Sequence, residues 1–158
     1  MKLYHGTYLQ FDAVDLSKSN KGKDFGKGFY LSDNYEQARN LAVFKSIQFD
    51  AVPIVLPFEF DERNLTNGEL KYARFDDYSL EWAEFILENR KNETDANIHD
   101  FDVVYGPIAN DKVGVQIRNL LENNIDMNVF LERLKYMQGI TFQYFFGTEK
   151  AVKLLKRL

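Results

Sequence analysis

Two short stretches hold most of the residues able to do chemistry. The first, LYHGTYLQF from Leu3, sets His5 beside Gly6 and Thr7. The second, SKSNKGKDFGKGFY, runs from Ser17 to Tyr30 and mixes Lys18, Lys21, Lys23 and Lys27 with Gly22, Gly26 and Gly28. A glycine backbone lets N–H groups come close to a ligand, and lysines suit phosphate charge. An imidazole can accept or donate a hydrogen bond, and a tyrosine ring offers an apolar face. A third candidate is Gln143, the one amide in the apolar run ITFQYFF. Buried without partners it would cost roughly 1–3 kcal/mol, so the sequence predicts that it either has a structural partner or faces a polar cleft. The question is whether His5, Tyr30 and Gln143 meet.

Other chemistries are excluded or unsupported. There is no cysteine, so disulfides, thiolate metal sites and cysteine nucleophiles are ruled out. Only two histidines occur, His5 and His99, which argues against a histidine-rich zinc site, and no metal is expected. No G-x-S-x-G elbow is present, and the glycines at 22, 26 and 28 fit neither the dinucleotide fingerprint nor the P-loop. The formal net charge of -4 argues against a constitutive nucleic-acid coat. The N-terminus lacks a secretory apolar core and no run approaches a membrane span, so a cytoplasmic protein without membrane contact is expected.

These residues need elements to position them. The 158 residues are 45% hydrophobic and 15% aromatic, enough for one domain over residues 1–158 with a substantial core. Lys2–His5 and Gly28–Leu31 are expected as strands, with Asp33 capping a helix that carries Tyr35, Ala38, Leu41 and Ala42 at helical spacing. Ala51–Phe60 is β-rich but holds two prolines, which predicts an edge or bulged strand. Strands are further expected at Glu69–Phe75, Asp102–Ile108 and Ile140–Phe146, and helices at Ser79–Arg90, around Val113–Leu121, around Met127–Leu134, and after Thr148 through Leu155. Interleaving without a regular βαβ rhythm predicts an α+β fold: a split, mostly antiparallel β-sheet core with flanking helices.

The order His5-Gly6-Thr7, a glycine-rich loop, Gly28-Phe29-Tyr30, then Ser32-Asp33-Asn34 and a helix resembles the ADP-ribosyltransferase superfamily. Within it the resemblance is to the His-Tyr-Glu branch of diphtheria toxin and the poly(ADP-ribose) polymerases. Through DFGKGFY, EWAEFILENR, DVVYGPIAND and FQYFFGTEKAVKLL the whole chain also resembles a family of short bacterial proteins of undefined function.

The resemblance implies a role for each residue. NAD would be the substrate, in a cleft between two small sheets. His5 would hydrogen-bond the adenosine-side ribose, with Thr7 supporting it. The Gly6 backbone would hold the nicotinamide carboxamide, and Tyr30 would stack on the nicotinamide ring, with Phe44 on its other face. Lys18, Gly26 and Gly28 belong to a loop over the pyrophosphate. Gln143 stands where the superfamily has a glutamate, so it could position a ribose hydroxyl but carries no charge to stabilise an oxocarbenium. The implied activity is NAD-dependent mono-ADP-ribosylation of a protein or nucleic-acid acceptor. The resemblance extends this to a toxin of a toxin–antitoxin or phage-conflict system, with an antitoxin as partner. The alternatives are a pseudoenzyme that binds NAD or ADP-ribose, and an NAD glycohydrolase.

Overall fold

Two small sheets carry the fold in the computed structural model, which describes residues 1–158. The first has the order β1 (Lys2–Thr7), β3 (Ile54–Glu59) and β7 (Lys156–Arg157). The second has the order β2 (Phe29–Leu31), β6 (Phe142–Phe146), β5 (Val103–Pro107) and β4 (Tyr72–Arg74). All pairings are antiparallel except β4 with β5. The sheets touch at one bridge, where the Tyr4 N–H donates to the Ser32 carbonyl at 2.7 Å and the Ser32 N–H donates to that of Tyr4 at 2.9 Å. Five helices complete the chain: α1 (Tyr35–Gln48), α2 (Leu80–Lys91), α3 (Asp111–Leu121), α4 (Met127–Leu134) and α5 (Glu149–Val152). This is the expected α+β class with mostly antiparallel sheets.

Strand alternation divides the apolar side chains between two cores. Leu3, Leu56 and Phe58 of the first sheet meet Phe29, Leu31 and Phe146 of the second. The neighbouring Val104 and Phe145 face the other way, onto Trp82 and Ile86 of α2, Ile117 of α3 and Phe130 of α4. This explains why FQYFF is nearly continuous in apolar character: both faces of β6 are covered. Each such side chain contributes roughly 1.5–3 kcal/mol on full burial. On the far side of the first sheet, α1 lies directly against β1, where a Cβ on Gly6 would strike the Ala38 carbonyl oxygen and come within 3.0 Å of the Ala42 nitrogen.

Three local expectations are corrected. Strand β3 is central, not at an edge, despite Pro57. Tyr4 lies opposite Pro57 but turns its own N–H and C=O to Ser32, so β1 asks no donor of the proline. On its other side Pro57 only accepts, from the Leu158 N–H at 3.1 Å. The α1 cap is Asn34 rather than Asp33: its side chain accepts from the Gln37 N–H at 3.1 Å, while Ser32 Oγ accepts from the Asn34 N–H at 2.9 Å. The last helix, capped by Thr148 as its sequence predicts, stops at Val152. Lys156 and Arg157 then pair with Glu59 and Phe58, because an open edge of β3 satisfies their backbone better than a further helical turn in solvent.

Candidate functional site

In β1 the odd-numbered side chains turn toward the second sheet, so His5 follows Leu3 to that side. Its ring stacks on Phe29, with centroids 4.3 Å apart. His5 Nδ1 lies 2.7 Å from the Tyr30 carbonyl oxygen. A carbonyl can only accept, so Nδ1 carries the proton and Nε2 keeps its lone pair. Burial pulls the imidazole pKa down to about 4, against the Tyr30 hydrogen bond and helped by the charges of Lys45, Lys23 and Arg157. His5 is therefore a neutral hydrogen-bonding ring near pH 7, not a cation.

The Tyr30 hydroxyl is already committed to the backbone. It donates to the Gly26 carbonyl at 2.7 Å and accepts from the Phe25 N–H at 3.0 Å. Burial raises its pKa, so it remains a neutral phenol and cannot act as a base. What Tyr30 can offer a ligand is its ring, over which Lys23 Nζ sits 5.2 Å from the centroid. The lysine–glycine loop is clamped in place. Phe25 is fully buried, and His99 Nε2 donates to its carbonyl at 2.7 Å. Asn97 makes two hydrogen bonds to the Lys27 backbone, at 2.7 and 2.9 Å. The Gly28 N–H donates to Ser19 Oγ at 2.9 Å, and Arg90 pairs with Asp24 at 2.7 Å.

Between this loop and β1 opens a cleft of about 850 Å³. Of the residues singled out from sequence, His5, Thr7, Lys18, Gly28, Tyr30 and Gln143 line it. Gln143 reaches it because β6 turns Gln143 and Phe145 to the same face as Tyr30, and it is half-buried there. Three residues do not line it. Phe44 is 69% exposed on the outer side of α1, and Leu41 of the same helix stands at the cleft instead. Gly26 sits at φ +96°, a turn conformation suited to glycine, and a Cβ there would come within 3.1 Å of Asn89 Oδ1. Gly6 contributes no surface to the cleft, but its backbone is aimed that way. Strand alternation points the Gly6 N–H and C=O to the same side as those of Tyr4, toward the split. The Gly6 carbonyl accepts from Lys45 Nζ at 3.0 Å.

Sequence reasoning missed Lys45, Arg90 and Asp24. The available signal for Lys45 was its spacing, one helical turn after Leu41 on the same face of α1. The Arg90–Asp24 pair joins residues sixty-six apart and had no sequence signal. Together Lys18, Lys23, Lys45 and Arg90 face the cleft against only Asp15 and Asp24. Asp24 is taken by Arg90, and Asp15 accepts from the Ser17 N–H. Burial and the charge of Lys23 pull the Lys45 pKa down to about 8, and burial lowers that of Lys23. A net negative chain thus concentrates uncompensated cations beside aromatic rings and a neutral imidazole. This suits an anionic ligand with a flat ring. No group of three or more His, Asp or Glu side chains is arranged to hold a metal ion.

The fold and the site define an α+β protein with a basic, aromatic-walled cleft where its two sheets part. Residues 1–157 match the family described as "Protein of unknown function (DUF3990)", and the chain belongs to that family. Neither a curated protein nor a solved structure matches it. No helix is long and apolar enough to cross a membrane.

Proposed function

We propose that the cleft takes NAD and that the chain transfers the ADP-ribosyl group to a macromolecular acceptor. One observation carries this reading: His5, Tyr30 and Gln143, from three distant parts of the chain, line one basic cleft. The resemblance of the His5-Gly6-Thr7 and Gly28-Phe29-Tyr30 motifs to ADP-ribosyltransferases supplies the chemistry. In the transfer, the bond between the nicotinamide nitrogen and ribose C1′ breaks, a bond from C1′ to an acceptor heteroatom forms, and the acceptor proton leaves to solvent. Nicotinamide departs with the bonding electron pair and becomes neutral.

The roles follow from the protonation states. Neutral His5 uses Nε2 to accept from a ribose hydroxyl. The Tyr30 ring packs against the nicotinamide, whose positive charge is drawn to an aromatic face. The Gln143 amide holds a ribose hydroxyl without adding charge, so stabilisation of the oxocarbenium is weaker than a carboxylate would give. The loop lysines take the pyrophosphate. A second reading, binding of ADP-ribose without turnover, is favoured by the uncharged Gln143 and by the Lys45 ammonium on the Gly6 carbonyl.

The test is to incubate the purified chain with NAD labelled in its adenylate part, with and without a bacterial lysate as acceptor. Nicotinamide release with label fixed to macromolecules is the expected result. Release without fixed label points to hydrolysis by water. Binding without release points to the second reading. Absence of any binding overturns the assignment of the cleft.

A further inference from the structure

Two ammonium groups occupy contacts that the proposed reading gives to nicotinamide. Lys45 Nζ donates to the Gly6 carbonyl at 3.0 Å, the backbone acceptor that a carboxamide would use. Lys23 Nζ stands 5.2 Å over the Tyr30 ring, the face that a pyridinium would use. Both lysines line the cleft, and neither has a carboxylate partner: the only ion pair among the cleft cations joins Arg90 to Asp24.

Resting on the NAD reading, we propose that Lys23 and Lys45 together fill the nicotinamide subsite as a built-in cationic stand-in, so that the resting cleft selects ADP-ribose over NAD. The two ligands share adenosine, pyrophosphate and a ribose, and they differ by one cationic ring. ADP-ribose leaves both ammonium groups where they are, and no ligand cation offsets the attraction between them and the shared pyrophosphate. NAD must displace Lys45 from the Gly6 carbonyl and Lys23 from the Tyr30 face, and it then sets its pyridinium beside two like charges. Like charges a few ångströms apart in a half-buried site repel appreciably.

The arrangement is also poised to move. Burial lowers the pKa of each lysine, and the charge of Lys23 lowers that of Lys45 further, so both cations sit where charge is disfavoured. Their remaining ties are single hydrogen bonds, Lys45 to Gly6 and Lys23 to Ser19 Oγ at 3.4 Å. Lysine stems are long enough to carry the ammonium groups from the ring subsite toward a pyrophosphate. The same two side chains would then exclude the ring at rest and hold the phosphates once it enters.

The experiment measures Kd for NAD and for ADP-ribose by calorimetry, on the parent chain, on K23M/K45M and on K153M, which removes an exposed charge elsewhere. The expected result is that the parent prefers ADP-ribose, and that K23M/K45M shifts the ratio of the two dissociation constants at least about tenfold toward NAD. K153M should leave the ratio unchanged. A parent that prefers NAD, or a ratio that K23M/K45M leaves within about twofold, overturns the stand-in while the NAD reading survives. Binding of neither ligand by a folded parent overturns the NAD reading itself, and the stand-in with it. Folding of each variant is checked by circular dichroism, and K23Q/K45Q replaces any variant that fails to fold.

Discussion

Replacing His5 by asparagine should remove a specific acid sensitivity from the fold. The His5 pKa lies near 4 in the folded chain and near 6.5 when the chain is unfolded. As pH falls below 6.5 the unfolded chain takes up a proton that the folded chain refuses. Stability is therefore complete above about pH 6.5 and is lost progressively down to about pH 4. Integrating over that window, His5 removes about 2 kcal/mol by pH 5 and about 3 kcal/mol by pH 4. These figures are ceilings, since solvent reaching the half-buried ring screens part of the effect. Asparagine is the informative substitute because its Nδ2 can donate to the Tyr30 carbonyl as Nδ1 does, yet it does not titrate. The assay is urea unfolding of the parent and H5N at pH 7.5, 6, 5 and 4.5. Both chains retain His99, whose pKa is also lowered by burial, so only the difference between them reports His5. The parent should lose ground on H5N by 1–2 kcal/mol, roughly, between pH 7.5 and 5. A difference constant within about 0.5 kcal/mol would refute the neutral, desolvated His5 on which the site chemistry rests.

Gly6→Ala should destabilise by about 1–3 kcal/mol, because its Cβ meets the α1 backbone rather than a movable side chain. In a chain of this size that lowers Tm by roughly 3–10 °C, and a fall under about 2 °C would show that α1 retreats freely. Tyr30→Phe leaves the Phe25 N–H without its partner and should cost about 1–3 kcal/mol in urea unfolding, with faster hydrogen exchange at the Phe25 amide. Unchanged exchange there would mean that the loop is held by its other ties, to Asn97, His99, Ser19 and Arg90, without the Tyr30 hydroxyl. Gln143→Glu should raise nicotinamide release, since a carboxylate stabilises positive charge on the ribose, while Gln143→Ala should lower release with little change in Tm. A large Tm loss in Gln143→Ala, with release per folded molecule unchanged, would make Gln143 a structural amide.

The amino-acid sequence by itself determined the fold class and most of the elements. Apolar spacing in EWAEFILENR and VVYGP, and the capping residue Thr148, depend only on near neighbours, and each became the helix, strand or cap expected. The same local logic singled out Gln143, because an amide in an apolar strand must find a partner or a cleft, whereas His5 and Tyr30 stood out through the order of their motifs and the resemblance it carries. Tertiary structure decided what local pattern cannot encode. Pro57 is tolerated in a central strand only because Tyr4 turns its backbone to Ser32, a pairing set by the meeting of two sheets. Asn34 rather than Asp33 caps α1 because that bridge holds Ser32 in place. Phe44 points away from the cleft and Lys45 into it, a difference of one residue on a helix whose rotation is fixed by the contact of Gly6 with Ala38. The sequence showed the loop lysines, but which of them reach the cleft, and that Lys45 and Arg90 join them there, depends on which side chains meet across space. Short-range periodicity fixes elements, but desolvation and pairing are properties of neighbours that only folding brings together.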